Sequence, residues 1–153
     1  MKFLADVADP VTVLGQQVSL MWIIIGAALV VFMQAGFALV ETGFTQAKNA
    51  AHVVSTNFAI FGLGFIGFYL VGFSFSFGGF SYSAFGMDAP VGSALIGSGD
   101  WIFFWKGGWA LTGDAITPAA IGFFLYMVAF MDTVATIPTG SMAERWKWSS
   151  FVV

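Results

Sequence analysis

Three long stretches almost free of charge constrain this chain more than any other feature. Lys, Arg, Asp and Glu occur only at Lys2, Asp6, Asp9, Glu41, Lys48, Asp88, Asp100, Lys106, Asp114, Asp132, Glu144, Arg145 and Lys147. Residues 10–40 and 49–87 contain none of them, and residues 115–143 contain Asp132 alone. A bilayer core about 30 Å thick needs about 20 apolar residues per helix, and each stretch is long enough. Barrel strands would show alternating segments of about 10 residues; these runs are longer and apolar on all sides, so they predict helices. Composition agrees. Of 153 residues, 59% are hydrophobic and only 8% charged, against about 25% charged in an average soluble domain. A small soluble domain has too much surface to cover with so few polar groups. Disorder is excluded as well, because it needs low hydrophobicity and high charge.

The same counts exclude several functions. A net charge of −3 without a basic patch offers nothing to a phosphate backbone. The chain has no Cys and one His, His52, so disulfides, thiolate sites and a His-built metal centre are not expected. No Ser/His/Asp set, carboxylate pair at a defined spacing, phosphate loop or HExxH motif occurs. The reading is a non-enzyme with no cofactor and no metal.

Along the chain, residues 1–14 are polar and mixed. Asp6, Asp9 and Pro10 stand where a signal peptide would have its apolar core, so none is expected. The first helix is predicted over 15–41, its apolar centre at Met21–Met33. Gly26, Ala27, Ala28, Ala35, Gly36 and Ala38 would let another backbone approach closely in lipid, and Gln34 should face protein. A linker, Thr42–Ala51, holds Lys48 and Asn49. The second helix is predicted over 54–78. Its Gly62, Gly64, Gly67 and Gly72 would weaken a water-exposed helix by about 1 kcal/mol each, but in a membrane bundle they make a flat contact face. Seven Phe lie between Phe58 and Phe77, read as packing and lipid contact.

Residues 79–117 form the longest loop. Trp101, Phe103, Phe104, Trp105 and Trp109 surround Lys106 there, a composition suited to the headgroup level. Near 101–110 the sequence allows a short surface-lying helix or a re-entrant turn, and periodicity does not decide the matter. The third helix starts at Pro118, a favoured first-turn residue, with Asp114 and Thr117 as candidate caps, and runs to about Met142. Pro138 should kink it or loosen a turn. Glu144, Arg145 and Lys147 end it, and from Trp148 a further apolar run begins, expected as the start of a fourth span. The expected fold is thus an all-α membrane protein, a polytopic helical bundle of three transmembrane helices plus the start of a fourth. Lys48, Arg145 and Lys147 lie on one side and Lys2 and Lys106 on the other. That asymmetry favours an outside N-terminus.

Asp132 is the one strongly ionisable residue inside a predicted span. A charge there costs at least about 3 kcal/mol on insertion scales. Two readings stay open: an interior functional group, or a carboxyl hydrogen-bonded to Thr133 or Thr136 of its own helix. Glu41 is either a solvated end charge or an acceptor for a nearby loop or helix end. His52 reads as a polar interfacial residue. Tyr126 and Phe130 are four apart and share a helical face; spacing alone marks them as packing.

Two segments carry a family resemblance. Phe32-Met-Gln-Ala-Gly-Phe-Ala-Leu-Val-Glu-Thr-Gly-Phe-Thr-Gln-Ala-Lys-Asn-Ala50 resembles the first-helix signature of the ammonium transporters, the Amt/Mep family related to Rh proteins. Gly140-Ser-Met-Ala-Glu-Arg145 is similar to the family's ending of its third helix, and Asn57-Phe58 with the Gly/Phe-rich second helix fits too. The resemblance, over about residues 15–153, implies a homotrimer in which each subunit has eleven helices, an outside N-terminus and a narrow apolar pore for ammonium or methylammonium. It places the first gate Phe at Phe130 and the vestibule aromatic at Tyr126. It also implies that these residues cover about the first third of a subunit, with the vestibule Trp, second gate Phe and twin pore His further along. Met127 stands where the family often has Gln, Asp132 where small or apolar residues are common, and Gln46 where Arg is usual. These departures suggest a divergent branch. The implied function is ammonium transport by an incomplete subunit; the alternatives are an ammonium sensor on the same fold and an inactive membrane fragment.

Overall fold

A computed structural model describes residues 9–98, 101–113 and 117–152. Lys2, Asp6, Asp100 and the candidate cap Asp114 lie outside the described residues. The first helix, α1, spans Pro10–Phe44, longer at both ends than the expected 15–41. Asp9 caps it, its carboxylate accepting from the Val11 amide at 3.3 Å, with Pro10 in the first turn. At 1.5 Å per residue its 35 residues span about 50 Å, well beyond a hydrocarbon core of about 30 Å. The expected linker shrinks accordingly, because Thr42, Gly43 and Phe44 stay helical.

The second helical segment, α2, covers Ala47–Phe77. It opens with a tight turn, Ala47–Asn49, and contains two widened turns, Ile60–Gly64 and Phe68–Gly72. A widened turn inserts a residue and rotates the side chains beyond it to a new direction. Here they accompany Phe68 and Phe73, both of which end up buried. At Gly72 a Cβ would lie 2.8 Å from the Phe68 ring, so the second widened turn closes on a glycine.

The third helix, α3, is Pro118–Met142. Thr117 caps it, its hydroxyl accepting from the Ala120 amide at 3.0 Å. The helix continues past Pro138. Ring geometry there deprives the Val134 carbonyl of its usual donor, and the run still extends to Met142. Half of the most apolar window of α3 is buried, against 11% for α1, so α3 is the central helix of the three. A short helix, α4, comes next at Trp148–Val152.

Between α2 and α3 the expected surface helix or re-entrant turn is not what forms. Residues Ser93–Ser98 (β1) and Trp101–Lys106 (β2) pair as an antiparallel hairpin. The run Trp101-Ile-Phe-Phe-Trp105 is made of strong strand formers, and Gly97 at φ 123° supplies a conformation other residues rarely adopt. Trp105 lies over Gly78 and Gly79 at the end of α2, where any Cβ would collide with its indole.

Candidate functional site

The three helices meet in layers along the bundle. At one end is an aromatic core. Phe123 stacks on Phe80 with centroids 4.5 Å apart and planes within 8°. Phe124 meets Phe73 edge-on at 5.4 Å and stacks on Phe68 at 5.7 Å. Met87, Val91, Ala119 and Ala120 complete this layer.

One layer further along α3 stand Tyr126 and Phe130. Their rings are 4.9 Å apart, as the four-residue spacing requires. Tyr126 rests on α1 at Gly26, where a Cβ would come within 3.1 Å of its ring. Phe130 remains 38% exposed, and Val134 and Ile137 continue an exposed apolar stripe along the same helix.

Asp132 belongs to a different face. It is 3% exposed, and its Oδ1 has no hydrogen-bond partner among the described residues. The neighbouring hydroxyls do not reach its carboxyl. Thr133 donates to the Ala129 carbonyl at 3.3 Å, and Thr136 sits 2.9 Å from both the Asp132 backbone carbonyl and Gln34 Oε1. The expected bond from Thr133 or Thr136 to this carboxyl is therefore not made. Both hydroxyls are instead oriented toward a backbone carbonyl one turn back on α3 and, for Thr136, toward Gln34 across on α1. Asp132 also lines an apolar cleft of about 60 Å³ together with Val31, Phe61, Phe65, Leu125, Val128, Ala129 and Met131.

The next layer is a polar ring of four side-chain hydrogen bonds, closed only through the α3 backbone between Thr136 and Thr139. Gln34 Nε2 donates to Asn57 Oδ1 at 3.1 Å. Asn57 Nδ2 donates to Glu41 Oε2 at 2.9 Å. Thr139 donates to Glu41 Oε1, and Thr136 returns to Gln34 Oε1. All five side chains are buried, so α1, α2 and α3 are tied at one depth. Glu41 is thus not a solvated end charge. In line with the alternative expectation it accepts from a nearby helix end, Thr139 in the last turn of α3, and also from Asn57 within α2. Gln34 faces protein, as expected. Asn57, Thr136 and Thr139 were not singled out as members of such a ring. Their signal is spacing: Gln34 and Glu41 are seven apart and Thr136 and Thr139 three apart, each pair on one helical face.

Beyond the ring, Glu144 fastens α3 to the turn before α2. Its Oε1 accepts from the Gln46 amide at 2.7 Å and from Asn49 Nδ2 at 3.1 Å. These two bonds, and more weakly the Lys48 charge, hold its carboxyl below the ordinary Glu range. Glu144 adopts φ 66°, a strained conformation for a residue with a Cβ, which the bonds compensate. His52 lies edge-on to Trp148 at 6.2 Å. No group of three or more potential metal-ligating side chains occurs among the described residues.

Comparison with known proteins gives a consistent picture. The model of the Ammonium Transporter Family matches residues 21–153. The chain is 36% identical over 137 residues to the ammonium transporter Amt2 of Archaeoglobus fulgidus, covering 89% of this chain and 25% of that protein. To the putative ammonium transporter sll0537 of Synechocystis it is 34% identical over 133 residues, covering 87% and 21%. To the ammonium transporter Amt1 of Haloferax mediterranei it is 34% identical over 148 residues, covering 95% and 24%. The chain thus spans about a quarter of the length of these curated relatives. No solved structure matches.

Proposed function

Since the chain belongs to the ammonium transporter family, we propose that it contributes one wall of an ammonium pathway across the membrane, as the N-terminal portion of a transporter domain. The observation that carries this reading is the Tyr126–Phe130 pair, rings 4.9 Å apart, the half-buried Tyr126 leading into the exposed apolar stripe that begins at Phe130 on the central helix. In this reading Tyr126 borders the outer vestibule and Phe130 is the first aromatic gate. Both roles come from the family resemblance, counted back from Glu144. The Gly26 seat fixes the Tyr126 ring, which in turn limits where Phe130 can turn.

The physical task is selective desolvation. Aromatic faces and hydroxyls replace part of the hydration of a small cation, and an apolar passage beyond makes transit of a bare ion costly. The gate ring then stands where water must be shed. Three exposed charge-poor helices cannot enclose such a passage alone, so the rest of the pathway comes from further spans, in a homotrimer embedded in lipid. The excess of Lys48, Arg145 and Lys147 over Lys2 and Lys106 supports an outside N-terminus, with the 42–51 and 143–147 segments facing the cytoplasm.

Methylammonium uptake by cells carrying the whole gene product tests the gate. Phe130→Ala is expected to change uptake or its selectivity over potassium at least about tenfold, with wild-type amounts of protein in the membrane. Unchanged uptake and selectivity in that variant would remove Phe130 from the pathway.

A further inference from the structure

The glycines of α1 are not alike. A Cβ at Gly15, Gly36 or Gly43 would meet nothing within 4 Å among the described residues, whereas at Gly26 it would lie 3.1 Å from Tyr126 Cε2 and 3.7 Å from Tyr126 Cδ2. The first distance is tighter than most real Cβ contacts, so an alanine at 26 obliges its neighbour to give by a few tenths of an ångström. Retreat of α3 as a whole is opposed from its other side. Phe124 stacks on Phe68 at 5.7 Å and meets Phe73 edge-on at 5.4 Å. Met131 reaches Gly64, at the end of the first widened turn of α2, where a Cβ would lie 3.2 Å from the Met131 sulfur. In a closely packed interior the group with free space moves first. That group is the half-buried Tyr126, beside the exposed stripe that begins at Phe130. Its ring yields away from α1, and the 4.9 Å spacing to Phe130 changes with it.

One turn earlier on α3 the roles of the two helices are exchanged. Gly122 receives Leu20 of α1, and a Cβ there would lie 2.5 Å from Leu20 Cδ1. That atom is the free end of a flexible side chain and can swing aside. The two seats belong to one helix interface, but only the seat at Gly26 bears on an aromatic ring of the pair. A contact that fixes a ring fixes the width beside it, and width matters more to a cation carrying a methyl group than to one without.

We propose that Gly26 is a positioning residue: through Tyr126 it sets the width of the cation's approach to Phe130, and so the discrimination of ammonium from the bulkier methylammonium. The inference rests on the proposed pathway; the contact between Gly26 and Tyr126 does not. Uptake of isotope-labelled ammonium and methylammonium by the whole gene product in proteoliposomes, over a range of concentrations, tests it. A misplacement of about 1 Å can cost about a hundredfold, so Gly26→Ala is expected to raise the half-saturating methylammonium concentration at least about threefold, that of ammonium less, with the maximal rate within about twofold of wild type. Gly122→Ala should leave both half-saturating concentrations at their wild-type values. Alanine is the better helix former at both positions, so a general loosening of α1 against α3 would move the two variants alike. In a Tyr126→Leu background Gly26→Ala should add nothing, because the ring it acts through is gone. Wild-type half-saturation for both cations in Gly26→Ala overturns the inference. So does an equal change in Gly122→Ala, or a full additional effect of Gly26→Ala on top of Tyr126→Leu. If Tyr126→Leu alone leaves uptake unchanged, the place of Tyr126 in the pathway fails, and the inference with it. If Gly26→Ala does not reach the membrane, adding Tyr126→Leu should recover it with the half-saturation of Tyr126→Leu alone, and no recovery overturns the inference.

Discussion

The two ends of the bundle are held by different forces. At one end Phe68, Phe73, Phe123 and Phe124 interlock as rings. At the other, Gln34, Glu41, Asn57, Thr136 and Thr139 exchange directed hydrogen bonds. In water the aromatic end would dominate, because burying such rings is worth several kcal/mol. In lipid the solvent is as apolar as the rings, so their gain is reduced to shape and dispersion. The polar end keeps its full penalty for a missing partner. The comparison teaches that in this chain register is set by the five polar residues and close fit by the aromatic ones.

Three substitutions would break or sharpen that contrast. The largest effect is expected from Asn57→Ala, which removes a donor to Glu41 and one of the two acceptors of Gln34 Nε2, the Asn57 backbone carbonyl remaining. A buried carboxylate stripped of a partner costs about 3–5 kcal/mol, enough to lose most folded protein from detergent extracts or to lower the unfolding midpoint sharply. Phe73→Leu, at a fully buried ring, should cost only about 1 kcal/mol, seen as a modest midpoint shift. If Phe73→Leu proves the more damaging of the two, the ranking of the two ends is reversed. The smallest effect is expected at Glu144, which is fully exposed. Its carboxyl is held below the ordinary Glu range by the Gln46 and Asn49 donors. Its contribution is therefore complete above the ordinary Glu range and is lost as pH falls through its own lower value. The protection of the Gln46 amide against hydrogen exchange, taken relative to its intrinsic rate at each pH, should fall under those acidic conditions and in Glu144→Gln at neutral pH, while global stability hardly moves.

Much of this architecture is legible in the chain of residues. The charge-free runs mark the three spans, because lipid tolerates few alternatives to a helix. Thr117 and Pro118 mark the start of α3 by local chemistry alone. Gln34 and Glu41, polar groups in apolar surroundings, announce that something must face them. What is not legible depends on packing at a distance. The run Trp101–Trp105 suits a strand or an interfacial helix equally until Trp105 finds Gly78 and Gly79. The widened turns of α2 depend on which Phe must point inward. The ends of α1 read as breaks because Asp9, Thr42 and Gly43 are poor membrane residues, yet a helix continues past the hydrocarbon boundary at no penalty. The isolation of Asp132 exists only once three helices surround it.

The polar ring also has a history written into its sequence separations. The bonds joining Gln34, Asn57 and Glu41 connect residues 23 and 16 apart. Those from Thr136 and Thr139 span 102 and 98. During synthesis the first two spans emerge together and can satisfy one another as a pair while the third is still unmade. The remaining acceptors, Gln34 Oε1 and Glu41 Oε1, then wait as a template that only a helix with hydroxyls three residues apart can complete. A third span placed out of register would leave those acceptors without their hydroxyl partners.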